Sequence, residues 1–332
     1  MKKKIKVGDK FFVAGAHGMA GSAICRALLK SGYGNAINGG EILKPKRKDL
    51  DLLDINEVKK WFKNNKPTIV IIAAAKVGGI LANSSQPANF ILENLKIQTN
   101  VIETAWNFGV KRLLFLGSSC IYPKFSDQPI EEESLLSGFL EQTNESYAIA
   151  KIAGIKLCEA LRKQYSFDSL SLMPTNLYGP GDNYHPSNGH VMAALISRFT
   201  NAVSQNLSEV SCWGSGSPFR EFMHADDLGS SVVFALENWD PSSKDAPTDK
   251  YGHPLNFLNV GTGVDISIKE LANLIAKATG FKGEIIWDKS KPDGTPRKLL
   301  NINKIKSLGW TPSIDLEDGI KLTVSEYLKI KG

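Results

Sequence analysis

Tyr147 and Lys151 stand four residues apart in Tyr147-Ala-Ile-Ala-Lys151, and on a helix that spacing puts both side chains on one face. An ammonium beside a phenol favours the phenolate, so Lys151 is expected to lower the pKa of Tyr147. A phenol tuned in this way gives or takes a proton at a carbinol oxygen while a nicotinamide exchanges hydride at the attached carbon. Ser118, in Gly117-Ser-Ser-Cys120, ends the apolar run Arg112-Leu-Leu-Phe-Leu116 and offers a hydroxyl to the same oxygen. Tyr-x-x-x-Lys alone is a common surface pair. A serine at the end of a preceding strand turns the pair into a catalytic site.

A second constellation sits near the start of the chain. In Gly15-Ala-His17-Gly18-Met19-Ala-Gly21 the glycines recur every three residues, directly after the apolar run Phe11-Phe-Val-Ala14. Glycines so placed let a backbone turn tightly and approach a pyrophosphate, whose charge rests at the N-terminus of the helix that follows. An NAD site places an acid near the end of the second strand to accept from the ribose 2′-hydroxyl. This chain has Lys44-Pro-Lys46-Arg47-Lys48 there. Cations suit a 2′-phosphate, so NADPH is expected over NADH, the alternative being a solvated run of charge. Asp51 and Leu52 follow, placed to hold the adenine amine.

The elements that position these groups alternate. Strand, glycine turn and helix are read over 11–29, an amphipathic helix over 55–64, and a strand over 69–75 buried on both faces. A long helix over 90–108, a strand over 112–117, a helix over 145–164 and a strand over 169–173 follow. Strands alternating with helices form right-handed crossovers and a parallel sheet. Beyond Tyr178 the alternation loosens, with helical stretches at 191–199, 226–236 and 268–278 and a polar, turn-rich excursion at 238–254. The expected fold is α/β: a Rossmann-type doubly wound parallel sheet over 1–178, with later segments crossing back to it, and a smaller substrate-binding domain over 179–332.

Composition narrows the class. The 332 residues carry 42% hydrophobic and 22% charged side chains, an ordinary globular balance. Forty Lys and Arg against 34 Asp and Glu give +6. That excess lacks the dense basic face with interleaved aromatics of a nucleic-acid binder, so an anionic small ligand is the expected partner. Cys25, Cys120, Cys158 and Cys212 form no CxxC pair, which argues against a disulfide framework or a zinc site and for a reducing cytoplasm. The basic start Met1-Lys-Lys-Lys4 is not expected to act as a secretory leader, because Gly8-Asp-Lys10 interrupts its apolar stretch, and no apolar run reaches the roughly 18 residues a membrane span needs.

Longer words then make a resemblance specific. Ala73-Ala-Ala-Lys-Val-Gly-Gly-Ile80, Leu116-Gly-Ser-Ser-Cys-Ile-Tyr-Pro-Lys124, Thr143-Asn-Glu-Ser-Tyr-Ala-Ile-Ala-Lys-Ile-Ala-Gly-Ile-Lys156 and Met173-Pro-Thr-Asn-Leu-Tyr-Gly-Pro180 resemble the extended short-chain dehydrogenase/reductase family of nucleotide-sugar enzymes. Asp182-Asn-Tyr-His-Pro-Ser-Asn188, Trp213-Gly-Ser-Gly216, Arg220-Glu-Phe-Met-His-Ala-Asp-Asp227 and Lys291-Pro-Asp-Gly-Thr-Pro-Arg-Lys298 extend the likeness over nearly the whole chain. Within the family they are similar to the branch that epimerises GDP-4-keto-6-deoxy-D-mannose at C3 and C5 and reduces it at C4 with NADPH.

The resemblance implies roles that spacing alone does not. Cys120 becomes the base and His190 the acid of epimerisation; without it, Cys120 reads as a small buried hydrophobe and His190 as a capping or core histidine. Ser118, Tyr147 and Lys151 serve the reduction, with Lys151 also gripping the nicotinamide ribose. Met19, Ala74, Lys76, Pro174, Asn176, Leu177 and His190 join Gly15, His17, Gly18, Gly21, Lys46, Arg47, Asp51 and Leu52 around the cofactor. Arg198, Trp213, Arg220, Asp293 and Lys298 hold the GDP-sugar, against the plainer readings of Trp213 as a core aromatic and Arg220 as an ion pair with Glu221. A homodimer through a four-helix bundle of 90–108 and 147–164 is implied as well.

Three features depart from the family pattern: His17 stands where arginine is frequent, Gly181 where histidine is frequent, and the 238–254 excursion is long. The rival activities are a 4-epimerase or a 4,6-dehydratase, which recycle their cofactor, and an idle NADP(H) sensor.

Overall fold

The computed structural model describes residues 3–185, 189–291 and 293–331. Of the segments singled out above, Met1-Lys2, Pro186-Ser187-Asn188 and Pro292 lie outside them.

The first half runs β1 (Lys10–Ala14), α1 (Met19–Lys30), β2 (Glu41–Leu43), α2 (Ile55–Asn65), β3 (Ile69–Ile72), α3 (Ile80–Ser85), α4 (Pro87–Asn107), β4 (Arg112–Leu116), α5 (Glu145–Tyr165) and β5 (Ser169–Pro174). The second half continues with β6 (Asn176–Tyr178), α6 (Val191–Ser204), β7 (Glu209–Trp213), β8 (Phe219–His224), α7 (Ala225–Asn238) and β9 (Phe257–Val260). It ends with β10 (Asp265–Ser267), α8 (Ile268–Thr279), β11 (Glu284–Asp288), β12 (Arg297–Lys298), α9 (Asn303–Ser307) and α10 (Leu316–Lys331).

Six strands form one sheet in the order β2-β1-β3-β4-β5-β9, and every pair in it is parallel. The continuous apolar runs of β3 and β4 are buried on both faces, as helix-covered parallel strands require. The order reverses between β1 and β3, and ligands of such sheets bind at that switch, beyond the carboxyl ends of the strands. β3 stops at Ile72, three residues before the expected end. Small Ala73 to Ala75 leave the sheet there to pass the glycine turn.

β9 and α7 come late in the chain yet pack with the first half, where Leu258, Val260, Leu228 and Val232 join the main apolar cluster. A second cluster joins Tyr178, Met192, Phe199, Leu271, Ile275 and Val324 beneath α6, α8 and α10. Buried Asp227 of α7 ties the two regions, accepting from the Ser313 and Ile314 backbone N–H groups at 3.1 and 3.0 Å and from Ser313 Oγ at 2.8 Å. The short strands β6, β10 and β12 all pair with β8, and β7 pairs with β11. α10 was not expected, since the pattern after residue 278 is too polar to announce it. The 238–254 excursion is polar but anchored: Trp239 is buried, and its carbonyl accepts from the buried guanidinium of Arg112.

Candidate active site

The turn between β1 and α1 has the shape its glycines imply. Gly15 adopts φ of 83°, and a Cβ there would lie 2.7 Å from the Ala74 backbone nitrogen. A Cβ on Gly21 would lie 2.1 Å from the Gly15 carbonyl oxygen, so only glycine lets α1 start this close to β1. Gly18 flanks Met19 at the head of α1, where no side chain caps the helix and no acidic residue occupies the first turn. The leading N–H groups of α1 are therefore open to an anion. His17 Nε2 donates to the Lys44 carbonyl at 3.1 Å and fastens the glycine turn to the basic stretch after β2. Lys44, Lys46, Arg47 and Lys48 are exposed, and no ion pair engages them among the described residues. A pyrophosphate at the helix and an extra phosphate beside these cations fit what the chain presents.

Neighbouring cofactor candidates are held by backbone contacts. The Asp51 carboxylate accepts from the Leu53 N–H at 3.0 Å, and the Leu52 carbonyl accepts from Asn100 Nδ2 at 2.9 Å. After β3, Ala74 lies against Gly15, and Lys76 pairs with Glu93 at 2.6 Å. Buried Asn94 accepts from the Lys76 N–H and donates to its carbonyl, which fixes that loop. Pro174 closes β5, Leu177 lies in β6, and Asn176 Nδ2 donates to the Glu221 carbonyl at 2.8 Å.

Four expected catalytic residues converge beyond β4. Ser118 follows the strand, and its Oγ accepts from the Cys120 N–H at 3.3 Å and hydrogen-bonds the Tyr147 phenol. Lys151, one helical turn beyond Tyr147, is buried and donates to the Leu116 carbonyl at 2.8 Å. Its ammonium lies 4.7 Å from the Phe115 ring centroid and 5.8 Å from that of Tyr147. The expected lowering of the Tyr147 pKa is corrected here. Burial pushes it up, the nearby Cys120 sulfur adds to the rise, and only the Ser118 hydrogen bond opposes it. Lys151 does not offset this rise, and burial takes its own pKa from 10.5 down to about 7, so that near neutral pH it is only partly charged.

That shift carries a pH dependence. Below pH 7 the folded protein must keep a buried ammonium; between about 7 and 10.5 only the unfolded chain holds that proton, so stability from this group rises with pH. Lys151→Met removes the slope. Its melting temperature relative to wild type is expected to be higher at pH 6.5 than at pH 9.5 by at least about 3 °C, read by differential scanning calorimetry. Equal differences at both pH values would contradict a neutralised buried amine.

On the facing side β12 runs parallel to β8 with Lys298 opposite Arg220. Lys298 Nζ reaches to 3.8 Å from Cys120 Sγ. Burial lowers the Arg220 pKa while Cys120, Asp293 and Glu141 counter it. The sulfur is thus flanked by two cationic side chains, and Cys120, partly exposed, is no core hydrophobe. Arg220 does not pair with Glu221. Glu221 is buried and accepts from the backbone N–H groups of Thr262, Gly263 and Leu300 at 2.6, 2.7 and 3.0 Å. It thereby fixes β8 against the segments that carry Lys298.

Trp213 is 52% exposed, which removes the core-aromatic reading. Its ring lies 5.8 Å from both the Arg198 guanidinium and the Lys291 ammonium. Asp293 accepts from the Ser215 N–H and Oγ at 2.7 and 2.8 Å, shaping the turn after β7. His190 flanks the start of α6 with its side chain exposed and uncapping. Its electrostatic neighbour is Asp182, whose pKa burial raises. Among the described residues no hydrogen bond or ion pair joins His190 to Cys120 or Tyr147. No group of His, Cys, Asp and Glu able to hold a metal ion occurs among the described residues.

Residues 11–247 match the NAD dependent epimerase/dehydratase family. The chain belongs to that family. GDP-L-fucose synthase 1 of Arabidopsis thaliana is 52% identical to it over 320 residues, spanning 96% of this chain and 93% of that protein. GDP-L-fucose synthase of Escherichia coli (strain K12) is 49% identical over 321 residues, with 97% of each covered. A solved GDP-L-fucose synthetase from Naegleria fowleri bound to NADP superposes with a TM-score of 0.84 at 28% identity, covering 98% of this chain and 96% of that one.

Several residues that shape this epimerase/dehydratase site carry no chemical mark in the sequence. Asn94, Glu221 and Lys291 look there like ordinary helix, strand and loop positions. Asn144 had a weak signal, standing three residues before Tyr147 at the head of its helix. Its Nδ2 donates to Cys120 Sγ at 3.4 Å.

Proposed function

We propose that this epimerase/dehydratase-family enzyme converts GDP-4-keto-6-deoxy-D-mannose to GDP-L-fucose, epimerising C3 and C5 and then reducing C4 with NADPH. The observation that carries the reading is full-length identity of about half to two GDP-L-fucose synthases. A thiol set between Lys298 and Arg220, beside the Ser118–Tyr147 pair, supports it.

The C4 ketone acidifies the C–H bonds at C3 and C5. Cys120, as thiolate, removes each proton, and charge develops on the C4 oxygen, where the Ser118 hydroxyl hydrogen-bonds it. His190 returns a proton on the opposite face. Bound NADPH supplies the hydride for C4. Tyr147 delivers the accompanying proton to the C4 oxygen, and its raised pKa ensures that the phenol holds that proton at neutral pH. Backbone groups of Gly15, Gly18 and Gly21 hold the pyrophosphate, with Lys46 and Arg47 at the 2′-phosphate and Lys151 at the nicotinamide ribose. Arg198, Trp213, Arg220, Asp293 and Lys298 hold the GDP-sugar.

The cofactor unit takes 1–178 with later segments crossing back, and 179–332 mainly bind substrate. A homodimer forms through α4 and α5, whose outer faces expose Leu92 and Ile149. No described helix is long and apolar enough to cross a membrane, and four free cysteines suit a cytoplasmic enzyme.

Incubation with NADPH and the ketosugar tests the reading. The expected result is consumption of one NADPH per sugar, with GDP-L-fucose as product by NMR. Absence of net consumption would favour a 4-epimerase or 4,6-dehydratase, whose redox cycle closes.

A further inference from the structure

Asn144 flanks the first turn of α5. Asparagine at that position ordinarily turns its side-chain oxygen back onto the leading N–H groups of the helix. Here no such cap forms. The side chain crosses instead to the turn after β4, where Nδ2 meets Cys120 Sγ at 3.4 Å. Its Oδ1 is left buried with no partner. A favourable cap is forgone and a buried acceptor left unsatisfied, and what the amide meets in exchange is a sulfur atom.

We infer that Asn144 is a further positioning residue for the epimerisation, donating its amide N–H to the Cys120 sulfur so as to aim it and favour its thiolate form. The inference rests on the proposed role of Cys120 as base. A thiolate is a far stronger acceptor than a thiol, so a fixed donor favours the charged form. Lys298 from β12, Arg220 from β8 and the Tyr147 phenol from α5 also face the sulfur; Glu141 and Asp293 stand beside Arg220. Lys298 and Arg220 contribute charge, whereas the amide contributes direction. Once the sulfur has taken a proton from carbon, its S–H becomes a donor. The same amide, turned over about its terminal torsion, presents Oδ1 to it.

Iodoacetamide alkylation of Cys120 in the intact protein reads the thiolate directly, because the thiolate is the nucleophile. The other three cysteines are buried, and peptide mass spectrometry assigns the adduct. Relative to wild type at pH 7, Asn144→Ala should slow Cys120 alkylation at least about threefold and Asn144→Asp at least about tenfold, with both rate profiles moved to higher pH. Aspartate caps a helix as well as asparagine and its charge suits a helix N-terminus. A merely capping Asn144 therefore predicts an Asp variant that melts and alkylates like wild type, and that result overturns the proposal. Asn144→Ser, another good cap, should be slowed like the Ala variant. No sugar enters this assay, so its failure leaves the proposed reaction standing. A wild-type protein inert toward the ketosugar would refute the reaction without touching the alkylation order.

Discussion

Tyr147→Phe is expected to lower the rate of C4 reduction by about 10²–10⁴-fold, the usual contribution of a positioned general acid. The phenol stands beside the Ser118 hydroxyl, and burial keeps it protonated. Phenylalanine retains the ring that lies edge-on to Phe90 at a centroid distance of 6.5 Å, so the helix and its packing survive. Single-turnover oxidation of NADPH with an already epimerised 4-ketosugar measures the step. Deuterium uptake from D₂O at C3 and C5 should persist in the variant, because in the proposed reaction those protons pass through Cys120. A wild-type reduction rate would remove Tyr147 from the reaction.

Cys120→Ser should do the reverse. A serine hydroxyl holds its proton far more tightly than a thiol, and neither Lys298 nor Arg220 makes it a base at neutral pH. Deuterium uptake at C3 and C5 is expected to fall by about 10²–10⁴-fold, while NADPH oxidation with the epimerised ketone stays within a few-fold of wild type. The substitution is nearly isosteric and Cys120 is partly exposed, so lost stability does not account for the loss. Equal damage to both steps would reject the division between a thiol that handles carbon-bound protons and a phenol that serves the oxygen.

Much of the molecule is written in local spacing. Phe11 to Ala14 followed by Gly15, Gly18 and Gly21 specifies a strand, a tight turn and a helix, because each depends on residues within one or two turns of chain. The apolar runs read at 69–75 and 112–117 declare strands of a parallel sheet for the same reason, although the strands end earlier, at Ile72 and Leu116. Helix α10 and the short strands around β8 are not legible in this way. Pairs such as Lys298 with Arg220 are made by strands too short to carry a period of their own.

The sequence by itself determined the glycine turn, the alternation of strands and helices, and the Ser118, Tyr147 and Lys151 set, since those follow from spacing along one strand and one helix face. The tertiary structure alone decided which groups meet the Cys120 sulfur: Lys298 is 178 residues away in the chain, brought there by β8 and β12 and held by the buried Glu221 carboxylate. It also decided the direction of the Tyr147 and Lys151 shifts. Spacing counts the charge next door, whereas burial depends on everything folded around it, and at this site the cost of removing a charge from water exceeds the attraction between neighbours.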